Sequence, residues 1–208
     1  DLNNATILIA NRGEIAIRIA RAASELGFAT VGVAPQDDRD CLHLQHVDRW
    51  RLLDGAGPAA YLDIPRIVAI ALEEGCAAIH PGYGFLSERA EFARACEAAG
   101  LAFIGPRPET LAMFGDKVSA REAAVRLGVP LPEGSHAGIS LAEARAFFDG
   151  LGDGAAAMIK AVAGGGGRGM RMVRRAEDLA DAYAVCRSEA GASFGEDAVY
   201  IERFIARA

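Results

Sequence analysis

The chain has 208 residues, of which 51% are apolar and 24% are charged, as is usual for a globular protein with one large domain or two small ones. Its formal net charge of −6 argues against a general nucleic-acid-binding protein, because such proteins carry basic surfaces. No apolar run approaches the roughly 20 residues that span a bilayer, and the N-terminal residues show no signal-peptide pattern. We therefore expect neither a nucleic acid nor a membrane as a partner.

The four cysteines are scattered along the chain, without a CxxC pair and without histidines at the spacing of metal ligands. This usage is typical of reduced thiols that pack inside a cytoplasmic protein. We expect no metal site within these 208 residues.

Residues 5–104 alternate between apolar, strand-like runs and amphipathic helices. The run 5–10 ends at the turn Asn11-Arg12-Gly13, and a helix with a 3.6-residue apolar period follows over 14–26, with Gly27 as its stop. Further strands are predicted at 28–33, 77–80 and 101–104, and further helices at 64–74 and 88–99. Because strands that alternate with helices form a parallel sheet covered on both faces, the pattern predicts a Rossmann-like α/β domain.

The order of elements changes after residue 105. Two short helices are predicted at 109–114 and 117–127, and a proline-containing extended linker follows at 129–135. The remaining elements are a helix at 141–148, strands at 156–160 and 170–173, a helix at 177–189 and a strand at 198–204. We therefore divide the chain into a Rossmann-like domain (1–114), a helical hinge or linker (115–131) and a small α+β unit (132–208).

The most specific motif is a run of four glycines, Gly164, Gly165, Gly166 and Gly167, between two strand-like segments. Such a loop can turn several amides toward one anion, because glycine reaches the required dihedral angles at low cost. Lys160, at the end of the preceding strand, adds a point positive charge. A flexible linker or hairpin tip is the alternative, but the flanking Lys160 and Arg168 favour contact with phosphate. The order of residues differs from a Walker A loop, in which the lysine follows the glycines.

Two further segments bear on which ligand the first domain could bind. Asn11-Arg12-Gly13 has one glycine, so the GxGxxG pattern of NAD-binding domains is absent. The segment 80–88, HPGYGFLSE, follows a strand at the ligand-binding edge of the predicted sheet, and its glycines would expose Tyr83 for stacking on a flat ligand. Within it, Ser87 is placed to cap the next helix, and a structural, hydrogen-bonded role is expected for His80.

Lys117 lies in the first turn of a predicted helix, directly after the capping candidate Asp116. A cation at this position opposes the helix dipole, and an anionic ligand would offset that cost. A solvated surface lysine is an equally acceptable interpretation of the residue taken alone.

Together these segments resemble the biotin carboxylase component of acetyl-CoA, propionyl-CoA, methylcrotonyl-CoA and pyruvate carboxylases, within the ATP-grasp superfamily. The resemblance runs in order from Ile7 to about Ile205. It rests on six segments: ILIANRGEIAIRI (7–19), AIHPGYGFLSE (78–88), FIGP (103–106), GDKVSAR (115–121), GGGGRGM (164–170) and YIERFI (200–205).

The resemblance implies a pre-ATP-grasp domain followed by an ATP-grasp lid subdomain. It also implies a reaction in which ATP and Mg²⁺ activate bicarbonate, and CO2 passes to biotin on a carrier domain. Lys117, Lys160 and the glycines would contact the phosphates, and Tyr83 would lie beside the ureido group of biotin. The adenine-binding segment would comprise Glu202, Arg203, Phe204 and Ile205.

The resemblance also places the magnesium-binding carboxylates, the bicarbonate- and biotin-binding arginines and the catalytic base in a region beyond residue 208. We therefore expect no catalytic or metal-binding residue in this chain, no turnover by it alone and at most weak nucleotide binding. The implied partners are the rest of the biotin carboxylase domain, the biotin carboxyl carrier domain, a carboxyltransferase and a second copy in a homodimer. The implied location is the cytoplasm, or the mitochondrial matrix in a eukaryote.

Two alternatives remain open. An ATP-grasp ligase of the carbamoyl-phosphate synthetase type would share the phosphate loop, although it gives no reason for the form of segment 80–88. A non-catalytic nucleotide-binding or assembly module is the alternative from a different class.

Overall fold

The structure, a computed structural model, describes residues 5–163 and 169–206. The chain forms two compact units, Asp1–Gly115 and Asp116–Ala208. Within the described ranges, no helix combines the length and the apolar character needed to cross a membrane.

The first unit is built on a five-stranded sheet with the order β3-β2-β1-β4-β5, in which all pairs are parallel. The strands are β1 (Thr6–Ile9), β2 (Ala29–Ala34), β3 (Arg49–Leu52), β4 (Ala78–His80) and β5 (Ala102–Phe103). The helices are α1 (Gly13–Glu25), α2 (Gly57–Ala60), α3 (Ile64–Glu73), α4 (Ala90–Ala98) and α5 (Pro108–Gly115). Two 3₁₀ turns, Gln36–Asp38 and Leu42–His46, lie between β2 and β3.

Helices cover both faces of this sheet, which confirms the predicted Rossmann-like class. Successive side chains of a strand point to opposite faces. Leu8 accordingly packs in the larger apolar cluster, which includes residues of α3 and α4, while Ile9 packs with α1. Strands β1 and β2 are almost entirely buried, as expected where both faces of a sheet are covered.

The sequence pattern did not reveal β3. All four of its residues, Arg49, Trp50, Arg51 and Leu52, are exposed, so the strand lacks a buried apolar face. Its position at the sheet edge explains this composition, since charged side chains on an edge strand discourage pairing with other chains.

The second unit combines three helices with a three-stranded antiparallel sheet of order β7-β6-β8. The strands are β6 (Ala157–Ala161), β7 (Met170–Val173) and β8 (Val199–Arg203), and the helices are α6 (Lys117–Arg126), α7 (Leu141–Gly150) and α8 (Leu179–Phe194). A core of residues from α7, α8 and the three strands covers one face of the sheet. This is the predicted α+β arrangement.

The proline-containing segment between α6 and α7 covers the outer edge of β8. The N–H of Arg203 donates to the carbonyl of Glu133 at 2.7 Å, and the N–H of Ser135 donates to the carbonyl of Ile201 at 2.8 Å. Farther along, the N–H of Gly138 donates to the carbonyl of Val199 at 2.9 Å. The predicted linker is therefore extended, as expected, and supplies the hydrogen-bond partners that an edge strand needs.

Candidate functional site

The small sheet of the second unit has one apolar face and one polar face. Along β6, Ala157, Ile159 and Ala161 are buried in the core, whereas Met158 and Lys160 point to the opposite face and are only partly buried. Along β8 the same alternation brings Tyr200 and Glu202 to that polar face. Burial raises the pKa of Tyr200 to about 12, an effect to which the charge of Glu202 adds.

Lys160 and Glu202 form an ion pair on this face. Lys160 lies opposite Tyr200 in the strand register and Glu202 lies opposite Met158, so the pair is diagonal. The ammonium of Lys160 donates to Oε1 of Glu202 at 2.5 Å, and Nη1 of Arg121 lies 3.9 Å from Oε2. Arg121 also donates from Nη2 to the carbonyl of Pro132 at 2.6 Å. One carboxylate thus holds two cations together.

Lys117 reaches the same region from the first turn of α6. Asp116 caps this helix, since its Oδ1 accepts a hydrogen bond from the N–H of Ser119 at 2.7 Å, as predicted. The ammonium of Lys117 donates to the carbonyl of Ala161 at 2.9 Å. Burial lowers the pKa of Lys117, repulsion by Lys160 lowers it further, and attraction by Glu202 partly compensates. Lys117 is therefore not a freely solvated surface lysine.

These two residues are the only lysines of the chain, which otherwise uses arginine for its positive charges. Lysine presents a compact point charge, while arginine presents a rigid planar fork. The structure brings both lysines to one polar surface. The carboxylate of Glu202 bonds to Lys160 and also attracts the charge of Lys117.

The four predicted loop glycines, Gly164, Gly165, Gly166 and Gly167, lie outside the described residues. The chain is described again from Gly169, whose carbonyl accepts a hydrogen bond from the N–H of Ala161 at 2.8 Å. Gly169 therefore lies beside Ala161, at the end of β6 that carries Lys160 and the Lys117 contact.

The three residues that follow Glu202 differ in their contacts and exposure. The guanidinium of Arg203 donates to Oε2 of Glu133 at 3.0 Å and 2.8 Å, and its backbone N–H donates to the carbonyl of Glu133. The N–H of Phe204 donates to the carbonyl of Ala156 at 2.8 Å, and the side chain of Ile205 is exposed. The backbone N–H and the guanidinium of Arg203 are therefore both engaged with Glu133.

In the first unit, Tyr83 lies in the loop after β4 and is 59% exposed. Gly82 and Gly84, on either side of it, have φ angles of 65° and 70°, in the left-handed region that favours glycine. The Tyr83 hydroxyl donates to Oε1 of Glu14 in the first turn of α1, and this hydrogen bond raises the pKa of Tyr83. The predicted exposure of Tyr83 is confirmed, and Glu14 fixes the direction of its hydroxyl.

Asn11 joins the turn after β1 to the loop after β4. These strands are neighbours at the point where the strand order reverses, which is where open α/β sheets usually bind ligands. Asn11 is 2% exposed, and its Nδ2 donates to the carbonyls of Pro81 at 2.7 Å and Tyr83 at 2.8 Å. A Cβ on Gly82 would lie 2.8 Å from this nitrogen, so only glycine fits against the amide.

Two other expectations for this loop are decided. Nδ1 of His80 accepts a hydrogen bond from the N–H of Gly82 at 3.0 Å, which confirms a structural role. The expectation that Ser87 caps the next helix was wrong, because α4 starts at Ala90 with Arg89 as its N-cap. The N–H of Ser87 instead closes a turn by donating to the carbonyl of Gly84.

Sequence reasoning gave no role to Arg121, Asn11 or Glu14. Arg121 carried a usable signal, since it follows Lys117 by four residues and therefore shares its face of the helix. The contacts of Asn11 and Glu14 join residues about 70 positions apart, for which local spacing gives no signal. Among the described residues, no group of three or more His, Cys, Asp or Glu side chains is arranged to hold a metal ion.

Comparison with known families and structures identifies the relatives of this chain. Residues 3–111 match the family described as biotin carboxylase, N-terminal domain, and residues 116–208 match the ATP-binding domain of the carbamoyl-phosphate synthase L chain. The first match covers more than half of the chain. The chain belongs to the biotin carboxylase family.

Individual relatives agree. Biotin carboxylase from a Nostoc species is 48% identical over 202 residues, which are 97% of this chain and 45% of that protein. Pyruvate carboxylase from Bacillus subtilis is 50% identical over 201 residues, which are 96% of this chain and 17% of that protein. The chain thus spans less than half the length of these relatives.

Solved structures give the same result. Biotin carboxylase from Campylobacter jejuni, in a β,γ-ATP complex, has a TM-score of 0.89 at 40% identity, over 96% of this chain and 45% of that one. The biotin carboxylase domain dimer of 2-oxoglutarate carboxylase from Hydrogenobacter thermophilus was solved with MgADP, ADP and bicarbonate. It has a TM-score of 0.88 at 40% identity, over 97% of this chain and 44% of that one.

Proposed function

We propose that this chain is the N-terminal, nucleotide-handling part of a biotin carboxylase, an ATP-grasp ligase that uses ATP and bicarbonate to carboxylate biotin on a carrier domain. The observation that carries the proposal is the convergence of Lys117 and Lys160, the only lysines of the chain, on the polar face of the small sheet. Glu202 is the carboxylate paired with Lys160 there.

The charges of this cluster favour an anionic ligand. Glu202 bonds directly to Lys160, whereas Lys117 has only the Ala161 carbonyl as its hydrogen-bond acceptor among the described contacts. Two partly buried ammonium groups that repel each other would be stabilised by a polyphosphate, because its negative charges can interact with both. We assign Gly164, Gly165, Gly166 and Gly167 to the same phosphates, with their backbone amides as donors.

We assign the base of the nucleotide to the end of β8. Glu202 would meet the exocyclic amino group of adenine, and backbone groups of Arg203 and Ile205 would complete the adenine edge, with Phe204 inside that segment. We further assign Tyr83 to the surroundings of biotin. Its exposed ring, held by Glu14 and flanked by two glycines, is suited to contact with a flat ureido group.

The remaining chemistry requires groups from outside the described residues. Mg²⁺ would neutralise the phosphate oxygens during phosphoryl transfer, and the described part of this chain has no cluster of ligands for it. We therefore propose that the metal ligands belong to the rest of the biotin carboxylase domain and that this chain alone has no turnover. The carrier domain, the carboxyltransferase and a second copy of the chain are the proposed partners, and residues 115–131 are the proposed hinge.

The two alternative functions are less well supported than a biotin carboxylase. A carbamoyl-phosphate synthetase-type ligase agrees with the match of residues 116–208 but not with the match of residues 3–111 to biotin carboxylases. A non-catalytic module would bind nucleotide without supporting carboxylation.

The test is nucleotide binding by the ¹⁵N-labelled chain. Binding is measured from chemical-shift changes during titration with MgATP and, separately, with adenosine. Lys117→Met and Lys160→Met should each weaken ATP binding about tenfold, because each removes a charged hydrogen bond to phosphate. Adenosine binding should change little. Arg126→Met is the matched control, since it removes an exposed positive charge from the same helix.

Activity is tested in a chimera in which this chain replaces the matching 202 residues of the Nostoc biotin carboxylase. The chimera should carboxylate biotin in an ATP- and bicarbonate-dependent reaction, whereas the isolated chain should not. Lysine variants that bind ATP as tightly as the wild-type chain would overturn the phosphate assignment. ATP binding without any carboxylation by the chimera would support the non-catalytic alternative.

A further inference from the structure

Glu189, on α8, bonds to the residues at the start of β7. Its Oε2 accepts a hydrogen bond from the N–H of Gly169 at 3.3 Å, and its Oε1 accepts one from Nη2 of Arg171 at 2.5 Å. Arg171 donates in turn from Nη1 to the carbonyl of Met170 at 2.8 Å. The Glu189 carboxylate and its arginine partner therefore bond to backbone groups of two consecutive residues, Gly169 and Met170.

Gly169 is also held tightly from the side of β6. Its carbonyl accepts from the N–H of Ala161, and its φ angle of 67° lies in the left-handed region. A Cβ added there would lie 2.9 Å from the Cβ of Ala161 and 4.0 Å from the carbonyl oxygen of Cys186 on α8. Gly169 thus lies close to both β6 and α8.

The Ala161 side of this junction belongs to the lysine cluster. The carbonyl of Ala161 accepts from Lys117, and its N–H donates to Gly169, whose N–H donates to Glu189. Successive hydrogen bonds therefore link Lys117 to Ala161, Ala161 to Gly169, and Gly169 to Glu189.

We propose that Glu189 is a positioning residue for nucleotide binding, which acts by holding Gly169 and, through Ala161, the carbonyl bonded to Lys117. The inference rests on the proposed function and adds to it a residue that itself contacts no nucleotide. Its physical basis is preorganisation: groups already held in the binding geometry need not be ordered when the ligand arrives. Arg171 is the partner that keeps the Glu189 carboxylate directed at β7.

The test uses the ¹⁵N-labelled 208-residue chain with MgATP as the probe. Glu189→Ala should speed hydrogen exchange at the Gly169 amide and raise the Kd for MgATP by about threefold to tenfold, as expected for the loss of a charge-assisted hydrogen bond. Glu189→Gln should give a smaller increase, because an amide oxygen can still accept from Gly169 but no longer carries the charge that attracts Arg171.

The matched control is Asp197→Ala. Asp197 pairs with Arg187 of the same helix, and this pair is exposed to a similar degree as the pair of Glu189 and Arg171. The control should lose a comparable small amount of stability, with no effect on Gly169 exchange or on MgATP affinity. This separates positioning from a general effect on α8.

Each outcome decides the matter. Unchanged Gly169 exchange in Glu189→Ala, unchanged MgATP affinity in that variant, or an equal loss of affinity in Asp197→Ala would each overturn the inference. A wild-type chain that does not bind MgATP would contradict the proposed function as well. Binding by the wild type with no effect of Glu189→Ala would contradict only the role of Glu189.

Discussion

Lys160 and Glu202 lie diagonally across two antiparallel strands with their charged atoms 2.5 Å apart, while Lys117 is held nearby by a peptide carbonyl. The pair is partly buried, so its charges are screened less than those of a pair on an open surface. The pairing gives the two lysines different electrostatic roles. Lys160 already has a counter-charge, whereas burial and the nearby charge of Lys160 lower the pKa of Lys117.

The pKa of Lys117 should respond in opposite directions to two substitutions. Lys160→Met should raise it, because a repulsive neighbour is removed, but not to its ordinary value, because burial is the larger cause of the shift. Glu202→Gln should lower it further, because an attractive charge is lost. Lysine-selective NMR can measure this directly, since a chain with two lysines gives two side-chain ammonium signals. A Lys117 pKa that is the same in both variants would contradict the described cluster.

Gly82→Ala should destabilise the first unit more than Gly84→Ala. Both positions have positive φ angles, so each substitution carries a strain of about 1–2 kcal/mol. Only at Gly82 does the added Cβ meet another group, the buried amide of Asn11, and displacing this amide breaks its two hydrogen bonds. We expect a loss of about 2–4 kcal/mol for Gly82→Ala and about 1 kcal/mol for Gly84→Ala, measured by urea unfolding. Equal losses would show that Asn11 adapts to the methyl group.

The stability of the first unit should fall as the pH drops below about 6.5, the ordinary pKa of histidine. Burial lowers the pKa of His43, the carbonyl of Val33 and the charge of Asp38 act to raise it, and Arg12 acts to lower it. Since the folded-state pKa is below the unfolded one, the unfolded chain binds the proton first. The contribution of neutral His43 is therefore complete above about pH 6.5 and is lost as the pH falls toward the folded-state value.

His43→Met removes this titration and keeps an apolar side chain at the site. Urea unfolding at pH 8, where the histidine is neutral in both states, gives the packing cost of the substitution. At pH 5.5 the variant should lose less stability than the wild type, by up to about 1.4 kcal/mol per pH unit. Burial also lowers the pKa of His80, so some dependence on pH should persist in the variant. An unchanged slope would exclude His43 as a contributor.

The sequence predicted those parts of the fold that bury a continuous apolar surface. The run 5–10 and the helix after it are examples. Ile9 and Ile19 pack in the same apolar cluster, and the buried positions of these two elements give a clear periodic signal in the sequence. The exposed edge strand β3 gave no such signal, since its residues have no buried side. The Ser87 expectation failed because the chain first makes a turn after Gly84, which moves the N-cap of the helix to Arg89, two residues beyond the serine.

For the candidate site, the sequence indicated the two lysines and Glu202 through their motifs, and the structure places these residues together. It could not indicate which carbonyl Lys117 bonds, or that Glu189 lies against Gly169, because those contacts depend on how helices pack on a sheet. The assignment of the glycines 164–167 to phosphate stays a prediction, as does the division of the chain at residues 114 and 131.

The cover that residues 133–139 form over β8 determines where this chain can be cut. A shortened protein that starts after residue 139 would expose the carbonyls of Val199 and Ile201 and the N–H groups of Ile201 and Arg203 to solvent, and so create an unpaired strand edge to which strands of other molecules can bind. A shortened protein that starts at Asp116 would retain residues 133–139 and so keep this edge of β8 covered. The extended segment is therefore a safeguard against self-association as well as a connection between helices.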